Sequence, residues 1–128
     1  MTALPPYAQL LKLRAATDED GAPMFVMPFH DDVVGRPGFL HGGAIAGLLE
    51  FAAFSALRHA LGETSATLKP INVTVDYMRA GQPLDTFAAA NIERLGSRIA
   101  NVEAYAWQKE RETPIAAAQM NFLLVREA

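Results

Sequence analysis

The 128-residue sequence predicts an α+β fold in which one curved antiparallel sheet wraps one long central helix. Three observations carry that expectation. The stretch Gly42–Leu61, GGAIAGLLEFAAFSALRHAL, is dominated by alanine and leucine and is apolar on nearly every side, the mark of an enclosed helix. After residue 68 the apolar period falls to two, the pattern of β-strands. The breaks between those strands are short, and short breaks join antiparallel neighbours. A single apolar helix and a single sheet bury both apolar surfaces when the sheet curls over the helix.

Taken in order, residues 10–17 alternate weakly and residues 23–29 are apolar, with the turn cluster Asp18-Glu19-Asp20-Gly21 between them, so this region reads as a β-hairpin. A short helix around residues 4–12 competes for part of it. Residues 30–41, with two glycines, one proline and two aspartates, read as a loop. The helix follows, with Gly62 as its C-cap and with Arg58 and His59 in its last turns, where positive charge suits the helix dipole. Ile71, Val73, Val75 and Tyr77 then alternate with Asn72, Thr74, Asp76 and Met78. Residues 85–94, 99–107 and 115–125 supply three further strands. The breaks Ala80–Pro83, Leu95–Arg98 and Arg111–Pro114 make the four strands an antiparallel meander. No linker-like stretch interrupts the chain, and residues 1–128 read as one domain.

Composition narrows the function. Apolar residues make up 51% and charged residues 20%, enough for a packed core without disulfides or metals. There is no cysteine, which excludes a disulfide scaffold, thiolate zinc and a cysteine nucleophile. The three histidines, His30, His41 and His59, lack metal-ligand spacing, so no metal and no separate cofactor is expected. A net charge of −3 speaks against a nucleic-acid partner. The start MTALPPYAQLLKLRA is unlike a signal peptide, and the apolar run Gly42–Leu57 contains Glu50 and falls short of a membrane span. The expectation is a soluble, cytoplasmic protein with no membrane partner.

Two features of the helix carry chemistry. Between Gly43 and Leu57, Glu50 is the only ionisable side chain, and its helix-surface neighbours are Ala46, Gly47, Ala53 and Phe54. A lone carboxylate in an apolar wall loses hydration and marks a candidate site, although pairing with an arginine or exposure at a subunit edge gives the same sequence. The segment Gly38-Phe39-Leu40-His41-Gly42-Gly43 leads into the helix, whose first amides have no internal partner and suit an anion or an oxyanion. A tight loop-to-helix turn would need the same glycines. Glu50 lies eight residues after Gly42, about 12 Å along a helix. One carbonyl cannot meet both, so either one of them is not catalytic or each site takes one from each of two subunits of a C2 dimer.

The motif Gly38-x-x-His41-Gly42-Gly43, with an acid nine residues after the histidine, resembles the hot-dog thioesterases related to the phenylacetate-pathway thioesterase and 4-hydroxybenzoyl-CoA thioesterase. The resemblance extends to the preceding hairpin, to Val73-x-x-x-Tyr77-x-Arg79, to Arg94-Leu95-Gly96-Ser97-Arg98 and to the final alanine-rich strand. It implies a hot-dog fold, hydrolysis of an acyl- or aryl-CoA ester, and a homodimer with a continuous sheet, itself paired into a dimer of dimers. It implies Glu50 as nucleophile or general base, the Gly42 amide as oxyanion donor with Gly43 beside it, and His41 as the residue that holds the loop. CoA is then part of the substrate. Leu48, Leu49, Phe51 and Phe54 are the expected acyl-pocket residues, and Arg36, Arg79, Arg94 and Arg98 flank the expected pantetheine mouth. Gly35 departs from the pattern, because many members carry Asn or Gln six residues before the histidine. Gly35→Asn is accordingly expected to raise activity or leave it unchanged. Tyr105 and Trp107, on one strand face with Asn101 and Glu103, fit either a subunit contact or ordinary packing. A non-catalytic acyl-CoA binding module and a hot-dog hydratase or dehydratase using His30 are the rival readings.

Overall fold

The computed structural model describes residues 4–126. A short helix, α1 (Pro6–Leu10), precedes the hairpin β1 (Arg14–Thr17) and β2 (Pro23–Met27). A 3₁₀ turn at Asp31–Val33 leads to α2 (Gly42–Leu61), and β3 (Ala66–Tyr77), β4 (Thr86–Leu95), β5 (Ile99–Trp107) and β6 (Ala116–Arg126) complete the chain. Both expectations for the N-terminal region hold in part. The helix takes residues 6–10 and the hairpin begins only at Arg14, after Lys12 turns the chain with a φ of 60°.

All six strands lie in one antiparallel sheet of order β1-β2-β4-β5-β6-β3, and the sheet curves over α2. The fit between them comes from small side chains. Ala88, Ala106 and Ala116 form one row across β4, β5 and β6, and Ala90, Ala104 and Ala118 form the next. These rows let the helix come close, so Ile45, Leu48, Leu49, Ala52 and Leu57 fill the space with at most 3% of their surface exposed. Their burial is the main stabilising term of the fold. By length and composition α2 also passes as a membrane span, as core helices do, and half of that stretch is buried inside this fold.

Two expectations need correction, one for the order of the strands and one for the enclosure of the helix. The four C-terminal strands are not a meander. Only β4, β5 and β6 are consecutive neighbours, and β3 pairs with β6 at the far edge. The connection from Met78 to Asp85 passes the ends of β5 and β6 to reach β4. At about 3.3 Å per residue it has ample reach for strands spaced about 4.8 Å apart. The alternation in β3 does not sort core from solvent either. Beyond Leu68, Val75 is its only residue that is not exposed, and the strand forms an edge of the sheet.

The helix is likewise not enclosed on all sides. Its stripe Ala46, Glu50, Phe51, Ser55 and Arg58 is half-buried and Phe54 is 41% exposed, because the sheet covers one side and α1 only part of the other. At its C-terminus Gly62 caps with a φ of 61°, and the Arg58 guanidinium donates to the carbonyls of Thr64 and Ala66, both at 2.7 Å.

On the outer sheet face Tyr105 and Trp107 take part in a structural staple. Arg111 lies 4.7 Å from the Trp107 ring centroid, donates to the Tyr105 hydroxyl and pairs with Asp18 at 3.3 Å. The staple ties the β1–β2 turn to the β5–β6 loop. The hydrogen bond from the Ala22 amide, aided by that of Asp20 and by Arg111, holds the Asp18 carboxyl below its ordinary range against the opposing effect of burial.

Candidate functional site

The loop before α2 is fixed by its own backbone. The Gly35 amide donates to Phe39 O at 2.9 Å, the Leu40 amide to Gly81 O at 3.0 Å and the His41 amide to Val33 O at 2.8 Å. This folding presses Gly35 onto the start of the helix. A Cβ there would stand 3.0 Å from the His41 Cα, backbone against backbone. A side chain at 35 therefore needs the His41 backbone to give by a few tenths of an ångström, which speaks against the expectation that Gly35→Asn is tolerated.

His41 is the N-cap. Its Nδ1 accepts from the Gly43 amide at 2.9 Å, which places the ring proton on Nε2. Its carbonyl accepts from the amides of Ala44 and Ile45. Of the first-turn amides only that of Gly42 donates no hydrogen bond among the described residues. The Tyr77 hydroxyl, at the end of the edge strand β3, donates to the Gly42 carbonyl at 2.9 Å, and its ring lies against the Gly42 Cα. A cavity of about 610 Å³ opens here, lined by Gly35, Arg36, His41, Gly42, Tyr77 and Arg79 among others. Neither arginine is paired with a carboxylate among the described residues. Arg36 stacks on Phe39 at 4.7 Å, and Arg79 donates to Pro114 O. Positive charge and the free end of the helix dipole thus share one cavity.

A second cavity, of about 910 Å³, lies on the open stripe of α2 and contains Glu50. Tyr7, Phe51, Phe54, Met120 and Phe122 are among its walls, and Ser55, Arg58 and His59 lie at one side. Glu50 is half-buried and makes no hydrogen bond or ion pair among the described residues. The two cavities share no lining residue.

Of the residues singled out in the sequence, Gly35, His41, Gly42 and Arg79 converge on the first cavity, with Gly43 held beside it by His41. Glu50 and Phe54 belong to the second. Arg94 and Arg98 line neither, since they sit at the β4–β5 turn. Leu48 and Leu49 are fully buried beneath the sheet and leave the pocket to Phe51 and Phe54, because the sheet meets α2 on their side of the helix. His30 lines neither cavity, and its Nε2 contacts Leu11 O at 3.0 Å. Tyr77 stands in the motif Val73-x-x-x-Tyr77-x-Arg79 but has no role assigned from sequence, and Tyr7 gives no sequence signal at all. Among the described residues no group of three or more His, Asp or Glu side chains gathers as metal ligands would.

The thioesterase superfamily matches the chain over residues 37–115. A Chromobacterium violaceum protein of known structure is 36% identical, with a TM-score of 0.74 over 96% of this chain and 85% of that one. A Bacillus halodurans protein, solved with CoA, is 21% identical, with a TM-score of 0.86 over 98% of this chain and 82% of its own. A Haemophilus influenzae thioesterase is 18% identical, with a TM-score of 0.84 over 94% of this chain and 82% of its own. No curated protein matches the chain in sequence. The architecture is the hot-dog fold that the sequence predicts.

Proposed function

The chain belongs to the thioesterase superfamily and is a thioester hydrolase; from that premise we propose that its substrate is an acyl-CoA ester, cleaved at sites shared between two subunits. The thioester carbonyl accepts from the Gly42 amide of one protomer. Glu50 of the partner subunit attacks the carbonyl carbon or takes a proton from the attacking water. The C–S bond then breaks and the leaving thiolate takes up a proton; where Glu50 itself has attacked, water hydrolyses the resulting acyl–Glu50 anhydride, so that either route yields the free acid and CoA thiol and regenerates the carboxylate. The Gly42 N–H is suited to the developing oxyanion because it is already oriented and has no partner to give up among the described residues. His41 and Tyr77 hold it from two sides, through the Gly43 amide and the Gly42 carbonyl.

The observation that carries this reading is the separation itself. The Gly42 amide and the Glu50 carboxylate, both without a partner among the described residues, lie about 12 Å apart on one helix, in cavities with no common wall. A homodimer that brings the donor cavity of one chain to the acid cavity of the other supplies a complete site twice. The uncovered edge of β3, with Ile71 52% and Tyr77 54% exposed, supports pairing with a second copy there. Arg36 and Arg79 at the first cavity suit the phosphates of CoA. The bound CoA of the Bacillus halodurans relative supports the same substrate class. The aromatic walls around Glu50 suit the acyl group.

The test is thiol release from a panel of acyl-CoA esters. The wild-type chain releases thiol, and Glu50→Gln, which keeps the shape but cannot act as base or nucleophile, loses about 10²–10⁴-fold in turnover. Retention of more than about a tenth of turnover removes Glu50 from the chemistry.

A further inference from the structure

One wall of the Glu50 cavity comes from α1. Tyr7 lies directly on Gly47, where a Cβ would stand 2.7 Å from the Tyr7 Cε2 and 3.3 Å from its hydroxyl oxygen. Gly47 is one turn before Glu50 on the same side of α2, and the Tyr7 ring centroid is 6.2 Å from that of Phe51. The tyrosine therefore reaches the helix only because position 47 has no side chain. Its support is firm. Ala8 and Leu11 are buried beneath α1 with at most 2% exposure, Gln9 Nε2 donates to Leu4 O at 2.6 Å, and the His30 ring contacts Leu11 O behind it. Tyr7 itself is 47% exposed, so its ring borders the cavity instead of serving the core.

We propose that Tyr7, seated on Gly47, is a specificity-determining residue that limits the length of the acyl group beside Glu50. This rests on the assignment of that cavity to the acyl group. An acyl chain that fits against the ring gains apolar contact. A longer one must displace the ring, which cannot move toward the helix because Gly47 and Phe51 already meet it.

The experiment measures kcat/KM for saturated acyl-CoA esters from acetyl to hexadecanoyl with the full chain and with Tyr7 and Gly47 variants. The readout is a ratio between two substrates in one protein, so the fraction of folded enzyme cancels. Tyr7→Ala raises the ratio of kcat/KM for an ester two methylenes beyond the wild-type optimum to that at the optimum by about tenfold, the scale of methylene discrimination in an apolar pocket. Tyr7→Trp lowers the same ratio, a reversal that general loosening of the fold does not produce. Gly47→Ala changes the ratio in the wild-type background and leaves it unchanged in the Tyr7→Ala background, since its clash partner is gone. Unchanged ratios in both Tyr7 variants, with an active wild type, overturn the role of Tyr7 and leave the hydrolase reading standing. Absence of thiol release from every ester with folded wild-type protein overturns the acyl-CoA hydrolase reading and the role of Tyr7 with it.

Discussion

At its N-terminus α2 offers a ligand an amide with no hydrogen-bond partner among the described residues, in a cavity that two guanidinium groups also line. Two turns later it offers a single carboxylate, unpaired among the described residues, in a cavity lined by aromatic rings. The first region is held by hydrogen bonds from the His41 ring, the loop backbone and Tyr77. The second is walled mainly by packed rings, with Tyr7, Phe51, Phe54 and Phe122 lining it beside Glu50. Each region has what the other lacks. A donor with no acid polarises a carbonyl but cannot cleave it, and an acid with no oxyanion donor faces the full charge of the tetrahedral intermediate. On the proposed reading, one chain thus carries both halves of the reaction yet no complete site.

The comparison can be broken from either side. The largest effect belongs to the acid half, the loss expected of Glu50→Gln. Gly42→Pro attacks the donor half. Proline removes the N–H and is tolerated at the first helical position, and His41 already has the extended backbone, with a ψ of 134°, that a following proline requires. Turnover should fall by about 10²–10³-fold, as for loss of one oxyanion donor, with a circular dichroism spectrum like that of the wild type. Wild-type turnover in a folded Gly42→Pro protein would take the amide out of the reaction.

Gly35→Asn tests whether the loop geometry sets the donor. Its Cβ must displace the His41 backbone, so the variant should lose about 1–3 kcal/mol of stability, the usual cost of overpacking, together with activity. A denaturation midpoint equal to that of the wild type would contradict the close contact. The smallest effect is that of Tyr77→Phe, which keeps the ring on Gly42 and deletes one hydrogen bond. A bond worth about 0.5–1.5 kcal/mol corresponds to about a two- to tenfold fall in kcat, with KM unchanged, if Tyr77 positions the donor. A changed KM with constant kcat would assign Tyr77 to substrate binding instead.

Much of this was legible in the residues, for identifiable reasons. The bounds of α2 followed from composition and from Gly62, because helix signals are local. Glu50 stood out because no other charge lies near it in sequence. The face of α2 that meets the sheet was not legible. A helix apolar all round has no preferred side, so the sequence alone does not separate Leu48 and Leu49, which fill the core, from Phe51 and Phe54, which line the pocket. The place of β3 was hidden for a similar reason. Alternation marks a strand but not its neighbours, and the eight residues from Met78 to Asp85 suit a loop hairpin as well as a crossover. Tyr77 and Gly42 are 35 residues apart, and Tyr7 meets Gly47 across the interface of two helices. Such contacts arise from packing and leave no periodic trace.

The central claim is that each site takes its amide from one chain and its carboxylate from the other. It is tested most directly by mixing Glu50→Gln and Gly42→Pro proteins, each inactive alone, under conditions that exchange subunits. A mixed dimer contains one doubly damaged site and one site with both wild-type groups. With random exchange half the dimers are mixed, so recovered thiol release should approach about a quarter of the wild-type rate, as isologous pairing requires. Mixed dimers that demonstrably form, from two variants that each fold, and yet release no thiol would contradict the shared site.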